Sequence, residues 1–174
     1  MFYKSNFAGI SVPRPVVWIW KIKCVKKIKV FMWLLIWDRL NTRDMIDRRH
    51  CAPVDAILTC GLCAGSRETL YHLFFDCPFS KQCWQHLGIR WNTSLNICQM
   101  MVLARVLFRP KGFMEIFSFA CWHIWKQRNA HVFQDVRPYF NRWLVSFKSE
   151  ILLHICRACL VQLQLLNLAL GVGS

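Results

Sequence analysis

Cys60, Cys63, His72 and Cys77 fall in the spacing C-x2-C-x8-H-x4-C, and no other feature restricts the conformation of the chain so strongly. Two thiols three residues apart can turn around one ion, and a His and a third Cys a short loop away complete a tetrahedron. Zn²⁺ suits this donor set, with thiolate sulfur at about 2.3 Å and imidazole nitrogen at about 2.0–2.1 Å. Four protein donors fill the shell. A catalytic zinc keeps one position open for water or substrate, so the pattern predicts one structural ion.

The residues around the ligands carry turn and stop signals that agree with this geometry. Gly61 lies inside the first pair, and Ala64-Gly65-Ser66 follows it as a turn. Ser66 is placed to cap a helix that begins at Arg67 and carries His72. Pro78 ends that element, letting Cys77 return toward the ion. With ten Cys in the chain, chance pairs are common. Cys156 and Cys159 are also a C-x2-C pair, but they lie in a leucine-rich run with no second pair or His at finger spacing. They read as small core residues, as do Cys24, Cys83, Cys98 and Cys121. Cys51, beside His50, is the one spare candidate ligand.

A chain of 174 residues with 55% hydrophobic residues and nine Trp is built to fold around a core. Its longest apolar runs, 30–37 and 117–125, are far shorter than the roughly 20 residues needed to span a bilayer. The first residues lack the basic and apolar regions of a secretory signal. Ten Cys without such a signal imply a reducing, intracellular setting, nuclear or cytoplasmic, and metal binding rather than disulfides. Net charge is +14, and residues 1–50 contribute +8 of it. A field of that sign draws polyanions, nucleic acid first among them.

Helical signals run along most of the chain. After a loose lead-in over 1–15 and a short apolar element over 16–22, Lys26, Lys27 and Lys29 open a helix to about Arg39 that is apolar nearly all round. Asn41-Thr42 caps a shorter helix over 43–49. Beyond the cysteine segment, Ser80 caps a helix to Leu87, and Gly88 stops it. Helices over 95–108 and 113–133 follow, then one of about thirty residues after Pro138. No alternating strand pattern of useful length interrupts them. The expected fold class is all-α, an irregular helical domain with one zinc-finger loop and a long C-terminal helical extension. The expected organisation is a lead-in (1–15), a zinc-binding domain (16–88) and the extension (89–174).

Three stretches carry a resemblance. The first runs from Lys27 through Leu35, with Asp38 to Asp44 after it. The second is Cys60-Gly61-Leu62-Cys63 with Glu68 to Ser80 and Trp84. The third is Trp122 to Asn129 with Val132-Phe133. Together they resemble the zinc-binding domain found C-terminal to the polymerase in plant LINE-type (non-LTR) retrotransposon reverse transcriptases. The ligands this resemblance implies are the same Cys60, Cys63, His72 and Cys77. The chain departs from the family pattern in having Val25-Lys26 where a Pro-Pro pair is usual. Arg67-Glu68 and Tyr71 stand where more acidic residues are frequent. It also lacks most of the helical segment usual upstream, and so resembles a piece of a longer element.

Catalytic signals are missing from the sequence. Six Asp and three Glu are never adjacent, so no aromatic-x-Asp-Asp turn offers a polymerase its two Mg²⁺ ions. The acids are equally sparse for ribonuclease H chemistry, and no phosphate-cradling glycine loop or nucleophile elbow is present. His123, His131 and His154 read as packed or surface residues. The reading is a non-enzyme that takes no small-molecule substrate and spans no membrane. Nucleic acid, RNA or DNA, is the expected partner. Lys26, Lys27, Lys29, Arg39, Arg43, Arg48 and Arg49 would contact phosphates. Trp84 and Trp91 are either stacking platforms for bases or core anchors. The rival readings are a structural or protein-interaction module, self-associating through apolar helices, and a relic of a retroelement with no function of its own.

Overall fold

The computed structural model describes residues 13–108, 110 and 112–169, with side chains described as far as Arg157. The first twelve residues of the expected lead-in lie outside that set. Helix α1 (Arg14–Lys21) starts on two prolines: Pro13 is its N-cap and Pro15 stands in its first turn. A first-turn residue needs no N–H partner, so Pro15 begins the helix instead of opposing it. Helix α2 (Lys26–Ile36) buries Ile28, Phe31, Met32, Leu35 and Ile36. Its other face is open, with Val30, Trp33 and the following Trp37 exposed. The expectation of a helix covered all round is therefore corrected to a one-sided one. It also stops three residues short of Arg39, because Asp38 takes a left-handed conformation (φ 49°) and Arg39 N–H turns back to Leu34 O (2.7 Å). Lys29 Nζ reaches the Trp20 carbonyl (3.0 Å) at the end of α1, which joins the two helices.

Thr42 caps α3 (Arg43–Arg48), its hydroxyl accepting from Met45 N–H (3.2 Å). After the cysteine loop come α4 (Pro78–His86), α5 (Ile97–Leu107), α6 (Phe113–Gln134) and α7 (Phe140–Ala169). The start of α4 differs from expectation. Pro78 occupies the first turn and Cys77 the N-cap, while Ser80 lies buried inside the helix and donates to Leu73 O (2.6 Å). Gly88 ends the element in a left-handed conformation (φ 68°), which a residue with no Cβ adopts without strain. Asn96 and Gln99 form a reciprocal capping box on α5. The one bridge between extended segments, among the described residues, pairs Thr59 with Arg67. The fold is all-α with a cysteine loop.

Helix α6 is the axis of the packing. It lies against α2 and α7, while α1 meets α2 and α5, and α4 meets α7. Phe117, Cys121 and Ile124 of α6 are fully covered. One buried cluster runs from Val16 to Phe147, so residues on both sides of Gly88 share a core. Aromatic rings fill it: Trp122 meets Phe31 edge-on at 5.1 Å, and Trp84 stacks on Phe117 at 5.7 Å.

One polar pair is sealed within this structure. Glu68 is 0% exposed and Arg128 of α6 only 3%, with Arg128 Nη2 2.6 Å from Glu68 Oε1. Arg128 Nε donates to both carboxylate oxygens as well (3.1 and 3.2 Å). The same carboxylate accepts the backbone N–H of Arg43, first residue of α3 (2.9 Å), and that of Gly61 in the cysteine loop (2.9 Å). Three separate parts of the chain therefore meet on one side chain. Replacing Glu68 by Gln strands a buried guanidinium, a loss of about 3–5 kcal/mol. Thermal denaturation of Glu68→Gln should show a large fall in Tm, and Glu68→Gln with Arg128→Met should recover part of it. A single variant within about 0.5 kcal/mol of wild type, the range of ordinary surface changes, would rule out this role.

Candidate metal centre

The cysteine loop is shaped by its backbone before any ion is considered. Pairing of Thr59 with Arg67 closes its base, and Cys60 N–H donates to Ser66 O (2.6 Å). Inside, Ala64 N–H returns to Cys60 O (2.8 Å). Ala64 is held there in a left-handed conformation (φ 53°). Space at Gly61 is tight: a Cβ there would lie 3.0 Å from Val132 Cγ2 on α6, which would have to give. The loop thus lies directly against α6.

The structure corrects how His72 is delivered. Ser66 caps no helix, because Arg67 pairs with Thr59 and the chain stays non-helical through Thr69, whose N–H turns back to Arg67 O (2.9 Å). The helical turn starts at Leu70, and Thr69 Oγ1 accepts from His72 N–H (3.0 Å). From His72 to Asp76 the backbone widens into a π-turn closed by Cys77 N–H on His72 O (2.7 Å). Five residues overshoot one α-helical turn, but an i→i+5 turn returns the fifth position to the same side. The widened turn brings Cys77 round to His72. Pro78 then starts α4, as the sequence implied for the end of the element.

The four expected ligand atoms converge, all within 4.8 Å of one another. Cys60 Sγ and Cys77 Sγ are 3.9 Å apart, and Cys63 Sγ lies 3.2 Å from His72 Nε2. A tetrahedral zinc with sulfur ligands at about 2.3 Å needs sulfurs roughly 3.8 Å apart, so the donor set fits the ion. Cys60 and Cys77 are buried, Cys63 and His72 partly so. Leu62 N–H points at Cys60 Sγ (3.4 Å). The thiol of Cys77 is shifted below its usual range by the hydrogen bond from Cys60 and by the N–H groups of Phe79 and Ser80 at the start of α4. Cys60, which supplies that proton and is buried, is pushed up. Zinc would take the place of the shared proton and hold both sulfurs as thiolates. Burial lowers the pKa of His72, which favours the neutral imidazole a metal requires.

Charged residues brace the loop from outside. Arg67 donates to Asp44 (2.6 Å) and to Asp47, and Arg48 to Asp44 (2.8 Å) and Asp38 (2.7 Å). Arg43 Nη1 bonds Thr59 O (2.6 Å). Two of the arginines expected to contact phosphate, Arg43 and Arg48, thus have structural bonds within the fold. Arg49 bonds Asn41 (3.3 Å), Lys29 is held on Trp20 as described, and Lys27 Nζ lies over the Trp122 ring at 5.6 Å. Lys26 and Arg39 are exposed and have no ion pair among the described residues. Trp84 is a core anchor, fully buried with Nε1 donating to Phe74 O (2.6 Å). Trp91 packs between Phe75, Trp84 and Phe117. Cys51 is exposed and bonds Arg49 O, outside the cluster. Cys83 and Cys121 are buried and their thiols are pushed up by burial.

Sequence reasoning missed Thr69, Glu68 and Arg128. For Thr69 the signal was a capping residue three positions before the ligand His. For Glu68 it was one of only nine acids lying beside the cysteine loop.

A closed shell of three thiolates and one imidazole, pinned to a helical core, defines a structural zinc-binding module. Residues 2–84 match the family described as zinc-binding in reverse transcriptase, and this part of the chain is a zinc-binding domain of that kind. The chain is also similar, at 31% identity over 166 residues, to an Arabidopsis thaliana protein provisionally named as a ribonuclease H protein. That match takes in 85% of this chain and 25% of the relative, so the chain spans about a quarter of the length of that protein. No solved structure matches it significantly.

Structural zinc in small fingers contributes about 10–16 kcal/mol of apparent binding free energy. That is comparable to the whole stability of a typical domain, about 5–15 kcal/mol. Elemental analysis should find one zinc per chain, and Cys60→Ser should lower that content. Chelation should reduce helicity and the near-ultraviolet signal of the aromatic core. Retention of zinc and of both spectra by Cys60→Ser would overturn the assignment.

Proposed function

We propose that this chain is a non-catalytic, zinc-stabilised helical module, derived from a LINE-type reverse transcriptase, that binds RNA or DNA through its basic N-terminal region. Residues 16–88 form its zinc-binding unit and 89–174 a helical extension, with 1–15 leading in. The observation that carries the reading is the distribution of charge after internal pairing. Asp38, Asp44 and Asp47, the acids of the first fifty residues, are all engaged by Arg48 and Arg67. Lys26, Lys27 and Arg39 remain exposed there without a carboxylate partner, and Arg49 and Lys29 hold only neutral groups. These five residues are the phosphate contacts, with Arg43 and Arg48 adding field while their side chains hold the fold.

A non-catalytic role is supported by the metal chemistry, since four protein donors leave the zinc no open position. Among the described residues, the cysteine cluster is also the one group of three or more metal-binding side chains. Ribonuclease H chemistry requires several converging carboxylates. The name of the Arabidopsis relative describes a protein of which the match takes in only a quarter. No helix among the described residues is long and apolar enough to cross a membrane. Thiolate ligation needs a reducing compartment, which we take to be the nucleus or cytoplasm.

Phosphate contacts release counterions, so affinity for single-stranded RNA should fall steeply with salt, by about 0.7 log units per contact for each tenfold rise. Fluorescence anisotropy of a labelled oligonucleotide across a salt series checks this. Binding absent at low salt, or insensitive to salt, would overturn the reading.

The rival reading of a protein-interaction module draws on one observation: Val145, Leu152, Leu153 and Ile155 of α7 are each more than half exposed. Size-exclusion chromatography separates the two. Self-association that persists without RNA would favour the rival, while a monomer that shifts only on adding RNA favours nucleic-acid binding.

A further inference from the structure

A cleft of about 700 Å³ opens on the side of the molecule where the link between α1 and α2 faces α6 and α7. Four cations line it, each from a different part of the chain: Lys23 from the link, Lys27 from α2, Lys126 from α6 and Arg157 from α7. Ser146 and Ser149 of α7 add hydroxyl donors, and Phe119 with Leu153 supply apolar wall. We propose that this cleft is a binding channel for a short stretch of single-stranded nucleic acid, whose phosphodiester groups lie along the basic rim. The inference rests on the nucleic-acid reading above and gives it a second, adjoining surface. Lys27 is the residue the two surfaces share.

The arrangement of charge favours a strand over a small anion. A free phosphate is held by donors that converge on one point, with no carboxylate among them. Here the cations are distributed over four segments, and the cleft also holds Glu150. That carboxylate is fixed by His123 Nε2 (2.8 Å), with Lys126 Nζ at 3.8 Å. His123 is buried, and burial with the neighbouring Lys126 outweighs the attraction of Glu150, lowering its pKa to about 4. The imidazole is therefore neutral at pH 7 and donates a hydrogen bond to Glu150 without cancelling its charge. Glu150 repels phosphate from its own position. It can accept hydrogen bonds from sugar hydroxyls or base amino groups, so phosphates belong at the rim and sugars or bases within. Phe119 and Leu153 suit the apolar faces of those groups.

The test uses the full zinc-loaded chain and a fluorescent single-stranded RNA of about twelve nucleotides, with zinc content and circular dichroism confirming that each variant is folded. Lys126→Gln combined with Arg157→Gln should weaken binding about tenfold at 50 mM salt and flatten the salt slope by about 1.4, two contacts' worth. Glu150→Gln should tighten binding, because it removes the one repulsive charge. If the double variant binds like wild type while Lys26→Gln with Arg39→Gln weakens binding, the cleft proposal fails and the broader reading stands. Absence of binding by wild type at low salt sinks both. Two competitors complete the test. Displacement of the RNA by micromolar AMP would show a free-nucleotide site and overturn the strand proposal. Displacement by unlabelled oligonucleotide alone supports it, and comparing DNA with RNA competitors shows whether the sugar hydroxyl contributes.

Discussion

Glu68 faces one cation, Arg128, from a helix sixty residues further along the chain, and both are buried. Removing two charges from water costs several kcal/mol each, and the loss is offset only where every lone pair and proton is used. Here the carboxylate takes three contacts from the guanidinium and one N–H each from Arg43 and Gly61, and Arg128 Nη1 donates to Asn129 Oδ1 as well. Because Arg43 opens α3 and Gly61 lies between two zinc ligands, the pair sets the position of the metal loop relative to α6. Arg128 is placed in turn by stacking over Trp125, 4.8 Å from its ring centre. The zinc closes the loop on itself, whereas Glu68 fixes where the closed loop sits.

This division of labour accounts for how the segment around the ligands is built. Thr59 and Arg67 pair to bring the two ends of the loop together, and Arg67 extends outward to Asp44 and Asp47. The chain then has to become helical within a few residues to present His72. Thr69 caps the turn, and the π-turn after it supplies the extra residue that brings Cys77 round. A regular α-helix from Ser66 would have carried His72 and Cys77 to different sides. The irregularity in the backbone is therefore a direct consequence of needing both ligands at one ion.

Such dependence on distant pairing explains what could be read from the sequence and what could not. The ligand set was legible because thiol and imidazole spacing is a local property. The helices expected over 95–108, 113–133 and after Pro138 were legible from their apolar period and their Gly and Pro boundaries, and the observed ones run 97–107, 113–134 and 140–169. Ser66 and Ser80 both had the chemistry of a helix cap, but position decided otherwise. Ser66 was drawn into the paired base of the loop, and Ser80 was buried within α4, its hydroxyl turned to Leu73 O. The exposed face of α2 was illegible for the same reason, since Val30 and Trp33 are as apolar as the residues that pack on α6. Nothing in the local sequence of Arg43 or Arg48 distinguishes a surface cation from one bonded within the fold.

The charge of the molecule follows from these structural uses of its acids. A chain with nine acids and twenty-three bases has few carboxylates to place. Glu68 is sealed against Arg128; Asp44 and Asp47 tie α3 to the metal loop; Asp38 holds Arg48 of α3; Asp76 faces Lys81; and Glu150 is held by His123. Most of the negative charge thus serves internal contacts, several of them around the zinc loop. The lysines have few such partners, and Lys23, Lys26, Lys27 and Lys126 are left at the surface on α2, the link before it and α6. Of these four only Lys126 lies near a carboxylate, Glu150 at 3.8 Å. A structural metal therefore shapes the surface charge without contributing a charged side chain to it: it fixes the loop whose Arg67 engages Asp44 and Asp47, and so takes those two acids out of the balance around α2.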